Sequence, residues 1–163
     1  MGSPAAVGVD VGGTKTHLRV EAPDRPAVDL VVPTRSWWRA GSSIAADGNA
    51  EALIATLPEL PPPGSALVVG AHGVDSDAVA ERLRDNLRAI FPGTVRVLND
   101  AALAGPAAGY PGAVITVISG TGSIVLCADG RGNDVPESGH AWSLGGFVRA
   151  TESSIRVDWE NYD

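Results

Sequence analysis

The sequence predicts an α/β domain in which a mixed five-stranded sheet carries flanking helices. Three β-rich segments come first, and later strands then alternate with helices, an order typical of a mixed sheet covered by helices. A layout of apolar strand, glycine turn with Thr and apolar strand occurs twice, in "GVDVGGTKTHL" and "TVISGTGSIVL". The chain has 163 residues, 44% of them hydrophobic, which is enough for one ordinary domain with a real core.

Composition excludes several classes of function. The net charge is −7 and no basic run occurs, which argues against a general surface for nucleic acid or anionic membranes. The single cysteine, Cys127, excludes an internal disulfide, a four-cysteine zinc site and a cysteine-held iron–sulfur cluster within one chain. Its apolar surroundings favour a buried structural thiol over a reactive one. Without a signal peptide or an apolar stretch near 20 residues, we expect a cytoplasmic protein.

The first three strands are expected at residues 6–10, 16–20 and 28–32. The first two flank a Gly-Gly turn and therefore form a hairpin. Pro33 ends the third strand because proline cannot donate to a sheet ladder. The stretch that follows, "TRSWWRAGSSIAADGN", has no clear period and is predicted to be a loop.

Helices and strands then alternate. Apolar residues at helical spacing predict helices at 50–57, ended by "PELPPPG", and at 79–91, opened by "DSD". The apolar run at 66–69 predicts a parallel strand buried on both faces. A further strand at 95–98 leads into a short helix of small residues, and a second hairpin pairs 114–118 with 123–128.

The first candidate site is the turn between the first two strands. Gly12 and Gly13 let backbone N–H groups approach phosphate oxygens, and Thr14 and Lys15 add further donors. Asp10 could hold Mg²⁺ directly or through water. The alternative is a plain two-glycine hairpin turn in which Asp10 serves turn chemistry.

The second candidate site is the turn "SGTGS" in the second hairpin. Gly120, Thr121, Gly122 and Ser123 supply glycines and hydroxyls between two apolar strands, which suits an anion-binding turn. The alternative is again an ordinary hairpin loop, since Gly and Ser are common there. Two such turns in one chain favour a pair of phosphate loops more strongly than either turn does by itself.

The third candidate site is Asn99-Asp100, at the end of the strand at 95–98. Ligands in open α/β sheets bind beyond the carboxyl ends of strands. A carboxylate there can accept the proton of a substrate hydroxyl during phosphoryl transfer. The alternative is that Asp100 only caps a helix starting at Ala101.

Three motifs in this order, "GVDVGGTKT", "VLNDAALAG" and "VISGTGSIVL", resemble the N-acetylglucosamine kinase and BadF/BadG/BcrA/BcrD-type ATPase family. That family belongs to the sugar kinase, actin and Hsp70 superfamily, and the resemblance covers roughly residues 5 to 130. It implies an actin-like ATPase (ribonuclease H-like) lobe, ATP with Mg²⁺ as cofactors and an amino sugar, N-acetylglucosamine above all, as substrate. Within that family, the activator ATPases of radical dehydratases use cysteines to hold a shared iron–sulfur cluster. Cys127 lies in a predicted strand rather than in such a motif, so this branch of the family is disfavoured.

The resemblance also implies roles for residues. Asp10 lies near the metal, and Asp100 is the base for a sugar hydroxyl. The phosphates of ATP lie against the two turns, at Gly12, Gly13, Thr14, Lys15, Gly120, Thr121 and Gly122. The sugar lies near Asn99, Asp100, Thr121, Ser123, Gly139 and Trp142.

The loop after the third strand helps to hold the sugar in that family, commonly with an Asn. Here Trp37 and Trp38 could stack on a sugar face or cover the edge of the domain, and both interpretations stay open. Asn49, the nearest Asn, is expected to start the helix that follows.

The second half departs from the family pattern. Gly139, His140 and Trp142 echo its Gly-Trp-Gly stretch, but Gly146-Phe147 stands where its acid pair is expected. We expect a lobe at 1–110 and an incomplete second lobe at 111–163. Such a chain is expected to self-associate as a homodimer or by a segment swap. The alternative function is a non-catalytic lobe that binds sugar or nucleotide weakly or acts as an assembly partner.

Overall fold

The computed structural model describes residues 2–39, 41–109 and 112–119, and the backbone of four later strands within 123–160. The chain divides into two compact units, Met1–Asp100 and Ala101–Asp163.

The first unit contains the predicted mixed sheet. Its strands are β1 (Ala6–Val11), β2 (Lys15–Ala22), β3 (Arg25–Pro33), β4 (Ser65–Ala71) and β5 (Gly93–Asn99), in the order β3-β2-β1-β4-β5. Strand β1 is antiparallel to β2 and parallel to β4, and β4 is parallel to β5. This confirms the predicted fold class, and it is the ribonuclease H-like arrangement that the resemblance implies.

Two helices cover one face of this sheet. Helix α1 (Asn49–Ile54) begins after Gly48, whose φ of 85° requires the left-handed freedom of glycine. Helix α2 (Asp77–Arg88) is capped by Ser76, whose hydroxyl accepts a hydrogen bond from the Val79 amide. The prediction that Asn49 starts its helix is confirmed, and α2 carries the expected apolar stripe.

The core lies between this face and the two helices. Its buried side chains come from the inward positions of the strands and from the helix stripes, among them Val7, Val9, Val11, Leu18, Leu53, Leu67, Val69, Leu83 and Leu87. The prediction that 66–69 is buried on both faces is wrong, because Ala66 is exposed and Val68 is only half-buried. Both described helices of this unit pack on the same face, so the other face of β4 keeps contact with solvent.

The second unit starts with short helical turns. A 3-10 helix at Asp100–Leu103 leads into α3 (Ala104–Ala107). Strands β6 (Val114–Ser119) and β7 (Ser123–Ala128) then pair antiparallel, with Ser119 opposite Ser123. The predicted second hairpin is confirmed.

Three further strands follow that the sequence patterns did not predict. Strand β8 (Asp134–Glu137) pairs with β7 and completes a three-stranded sheet. Strands β9 (Gly145–Thr151) and β10 (Ser154–Glu160) pair antiparallel in a sheet of their own.

Two strand glycines provide a matched test of the sheet. A Cβ at Gly93 would overlap the backbone carbonyl of Ser65, its partner on β4, whereas a Cβ at Gly8 meets nothing within 4 Å. We expect Gly93→Ala to lower the free energy of unfolding by about 2 kcal/mol or more, because backbone must move. Gly8→Ala should change it by no more than about 1 kcal/mol. Urea unfolding midpoints measure both, and equal midpoints would contradict the β4–β5 register.

Candidate functional site

The carboxyl ends of the three parallel strands β1, β4 and β5 meet at one edge of the first sheet. The backbone amide of His72 donates to the Val11 carbonyl at 2.8 Å, joining the segment after β4 to the end of β1. The side-chain amide of Asn99 donates to the Val74 carbonyl at 3.1 Å, joining the end of β5 to that same segment. These bonds hold three strand ends together, at the edge where ligands of α/β sheets bind.

The glycine turn between β1 and β2 opens on this edge. The amide of Gly12 donates to the Lys15 carbonyl at 2.9 Å, and this bond closes the turn. A Cβ at Gly12 would lie 3.2 Å from that carbonyl, so a larger residue would press on the turn. Gly13, Thr14 and Lys15 are exposed, which leaves the tip of the turn accessible to an anion.

A chain of hydrogen bonds lies beneath the turn. The indole Nε1 of Trp37 donates to Thr16 Oγ1 at 2.9 Å, and Thr34 Oγ1 donates to the Gly12 carbonyl at 2.8 Å. The two hydroxyl oxygens are 3.0 Å apart. Because each hydroxyl carries one proton and that of Thr34 goes to Gly12, Thr16 donates to Thr34. All three hydrogen bonds therefore have the same direction, with each donor on the core side and each acceptor on the side of the glycine turn.

The backbone reinforces this attachment. The Thr34 amide donates to the Thr14 carbonyl at 3.0 Å. Thr34 therefore binds the turn at two places, Gly12 and Thr14. The two threonines in this series of hydrogen bonds are buried: Thr16 is 0% exposed and Thr34 is 3% exposed. Buried hydroxyls with complete partners fix geometry, because any rearrangement would leave one of them unsatisfied.

The carboxyl of Asp10 feels the negative charge of Asp100 at the strand ends. Burial raises the pKa of Asp10 above its ordinary value, and the negative charge of Asp100 raises it further. His17, which pairs with Asp10 in the β1–β2 register, opposes this rise. Although the Asp10 residue is exposed at the sheet surface, neighbouring strands displace enough water from its carboxyl to disfavour the charged form.

The donor set suits a magnesium ion that is shared with a ligand. Within the described part of the chain, no group of three or more His, Cys, Asp or Glu side chains could hold a metal by itself. Magnesium usually keeps several waters and binds one or two carboxylates together with substrate phosphates. Asp10, with Asp100 nearby and the glycine turn beside it, fits that pattern.

The structure distinguishes the two tryptophans that the sequence left equivalent. Trp37 is only 9% exposed and belongs to the core, so its indole is not available for stacking on a sugar. Trp38 is half-buried. Asn49 is buried, and its side-chain amide donates to the Ser43 carbonyl at 2.9 Å, so it holds the loop before α1.

The structure thus brings together Asp10, the turn from Gly12 to Lys15, Asn99 and Asp100. Ser123 begins β7, where only its backbone is described. The remaining predicted site residues lie outside the described residues: Gly120, Thr121, Gly122, Gly139 and Trp142.

Sequence reasoning missed three residues at this edge. The alternation of apolar and polar residues identifies Thr16 only as part of a strand and Thr34 only as part of a loop. His72 follows a strand and has no recognisable motif around it. The usable signal for His72 was its place directly after a parallel strand, the same signal that singled out Asn99 and Asp100.

Solved structures similar to this chain include three sugar-kinase structures. A candidate N-acetylglucosamine kinase from Chromobacterium violaceum is 24% identical over 88% of this chain and 49% of its own, with a TM-score of 0.49. A candidate sugar kinase from Cytophaga hutchinsonii is 16% identical over 79% of this chain and 52% of its own, with a TM-score of 0.46. The Schistosoma mansoni hexokinase in complex with glucose is 17% identical over 77% of this chain and 36% of its own, with a TM-score of 0.43.

The chain therefore spans about half the length of the first two proteins. No protein-family profile and no curated protein matches it. No helix within the described ranges is long and apolar enough to cross a membrane.

The hydrogen-bond chain predicts the effect of changing Thr34. Thr34→Val keeps the shape but leaves the Gly12 carbonyl and the Thr16 hydroxyl without their partner. We expect a loss of about 2 kcal/mol in the free energy of unfolding, the typical cost of buried unsatisfied groups. Thr34→Ser keeps the hydroxyl and should lose less than half of that. Denaturant unfolding measures both, and equal losses would mean that the methyl group matters rather than the bond.

The carboxylate pair predicts opposite shifts in two variants. Asp100→Asn should lower the pKa of Asp10, because a neighbouring negative charge is lost. His17→Gln should raise it, because a favourable positive charge is lost. Carbon-13 NMR titration of the Asp10 carboxyl in metal-free buffer measures both. An Asp10 pKa that does not move in Asp100→Asn would contradict the proximity of the two groups.

The same shift makes stability depend on pH. The folded chain holds the Asp10 proton more tightly than the unfolded chain, in which the pKa of this carboxyl is 3.8. The contribution of Asp10 to stability is therefore lost as pH rises from that value through the raised folded pKa. Asp10→Asn should raise the melting temperature at pH 7 relative to the wild type and flatten this dependence. If the melting temperature of Asp10→Asn depended on pH as that of the wild type does, this prediction would be wrong.

Proposed function

We propose that this chain takes part in the ATP-dependent phosphorylation of an amino sugar, with N-acetylglucosamine as the first substrate to test. The observation that carries the proposal is the placement of two carboxylates, Asp10 and Asp100, at the edge where three parallel strands end, with a glycine turn at the same edge. The sequence motifs around these residues resemble those of the N-acetylglucosamine kinase family and support the same reaction.

The two carboxylates take different roles. Asp10 would hold the magnesium ion, which would neutralise charge on the phosphates of ATP. Asp100 accepts the proton of a sugar hydroxyl. The sugar oxygen then forms a bond to the terminal phosphorus, and the bond from that phosphorus to the oxygen of ADP breaks.

The glycine turns supply the phosphate contacts. The turn from Gly12 to Lys15 would supply backbone donors to the polyphosphate, and the family resemblance assigns the same task to Gly120, Thr121 and Gly122. Backbone donors suit this task because phosphoryl transfer depends on positioning and charge neutralisation more than on covalent chemistry. Asn99 positions the base next to it, since its side chain is tied to the Val74 carbonyl. Ser123, Gly139 and Trp142 complete the sugar side.

A second candidate is a lobe that binds sugar or nucleotide without turnover, or that assembles with a second copy as a homodimer or by a segment swap. Gly146-Phe147, in the position where the family carries its acid pair, favours this candidate. Phosphoryl-transfer sites are usually closed between two elements that exclude water. Association with a second copy would supply such an enclosure.

The test is ADP release from Mg-ATP by the purified chain, with and without N-acetylglucosamine and a panel of hexoses. We expect stimulation by one sugar and a loss of at least about 100-fold in Asp100→Asn, because a general base contributes that much or more. Asp85→Asn, which changes an exposed carboxylate on α2, is the matched control and should leave the rate unchanged. Sugar binding without any stimulated release would instead establish the second candidate.

A further inference from the structure

Strand β3 forms one edge of the first sheet, outermost in the order β3-β2-β1-β4-β5. In an antiparallel pair, alternate residues of a strand direct their backbone N–H and C=O groups to the neighbouring strand, and the others direct theirs away from it. The Thr34 amide donates to the Thr14 carbonyl at 3.0 Å, so residue 34 is turned towards β2. The pairing with β2 keeps one register along residues 28–33. Asp29 and Val31 are therefore turned outwards.

Strand β3 carries apolar side chains on both faces of the sheet, and they are incompletely covered. Val28, Leu30 and Val32 pack against the core, yet each is only half-buried. Val31, on the opposite face, is 59% exposed. A further strand beside β3 would cover these side chains, and the burial of apolar surface would favour its binding.

The one charge near the middle of this edge is drawn towards β2. Charged side chains normally protect an outer strand from pairing with another chain, and Asp29 is the single charged residue between 26 and 33. Arg19 Nη1 lies 2.6 Å from Asp29 Oδ2, and His17 Nε2 lies 3.6 Å from Oδ1. Because both partners belong to β2, the carboxylate is held over the sheet, and Arg19 offsets its charge. The edge therefore has little protection against pairing.

We propose that β3 pairs antiparallel with β3 of a second copy, about a two-fold axis at Leu30. Asp29 of each copy then lies opposite Val31 of the other, and the outward backbone groups of these residues bond to one another across the edge. On the core side, Leu30 faces the same residue of the second copy, and Val28 faces Val32. The half-buried apolar side chains of the two copies therefore cover one another.

Two features select this register. Centring the pair on Asp29 would place two carboxylates opposite each other, which is unfavourable. Centring it on Val31 would place Asp29 opposite Pro33, which has no N–H to donate. A second copy suits the edge because a two-fold antiparallel pair is self-complementary, so one set of donors and acceptors serves both chains.

The contact is short. Pro26 and Pro33 limit the segment that can pair, so the interface is smaller than a standard one and we expect weak association. The inference specifies a surface for the assembly that the second candidate function includes. It rests on the edge of the sheet and not on the binding of sugar or ATP.

Sedimentation equilibrium of the full chain over a range of concentrations measures the dimer. Val31→Glu places a negative charge opposite Asp29 of the second copy, twice in each dimer, and should raise the dissociation constant about tenfold. Val31→Lys places a positive charge at the same position and should keep the constant within about threefold of the wild type. Leu60→Glu adds the same negative charge at another exposed apolar residue and is the matched control, with the constant unchanged.

The backbone bonds have a test of their own. Val31→Pro removes an N–H that points away from β2, and it should abolish the dimer while the pairing with β2 stays intact. Amide exchange followed by NMR should slow at Asp29 and Val31 as the concentration of the wild type rises. The amides of Leu30 and Val32, turned towards β2, should exchange slowly at every concentration. Urea unfolding midpoints close to that of the wild type show that each variant retains the sheet.

A chain that stays monomeric at every concentration, or a dimer that Val31→Pro leaves intact, would overturn the inference. Equal weakening by Val31→Glu and Val31→Lys would overturn the register. None of these measurements uses ATP or sugar. A chain that dimerises through β3 but releases no ADP in response to sugar would therefore contradict the proposed phosphorylation alone.

Discussion

The chain of hydrogen bonds from Trp37 through Thr16 and Thr34 to Gly12 is the constraint on which the site depends. It joins a core indole, strand β2, the first residue after β3 and the glycine turn in one line of donors. Each hydroxyl has one proton to give, so the order of donors is determined. The turn is consequently fixed from below by buried groups, while its tip stays exposed. Such a turn can accept a phosphate without first having to order its own backbone.

The sheet order explains why the remaining groups gather around this turn. Strand β1 is central in the sheet and is parallel to β4, as β4 is to β5, so the ends of all three strands share an edge. Residues distant in sequence, such as Asp10 and Asp100, therefore lie at the same edge of the sheet. The links from His72 and Asn99 then close the spaces between adjacent strand ends. The strand order brings the two acids to one edge, and the hydrogen bonds of His72 and Asn99 fix the segments around them.

Much of this arrangement could be predicted from sequence. Alternating apolar residues, prolines and glycines indicated five strands in a mixed sheet, and the place of Asp100 directly after a strand indicated an edge where a ligand could bind. The roles of Trp37 and Trp38 could not be separated, because adjacent identical side chains differ only in which one the tertiary fold turns inward. Thr16 and Thr34 were missed because a buried hydroxyl leaves no mark in a hydrophobic pattern. The open face of β4 was missed because its strand is apolar at every position.

The electrostatics of the site link binding to stability. Asp10 carries its charge in folded surroundings that disfavour it, with Asp100 close by, so the fold gives up stability to keep both acids at one edge. A ligand that brings positive charge to this edge relieves that repulsion only in the folded state. Binding therefore stabilises the fold by mass action, and part of that stabilisation is the relief of the carboxylate pair. Groups held in a charge state that folding disfavours are common at functional sites, so the raised pKa of Asp10, beside the glycine turn, supports the metal role proposed for it.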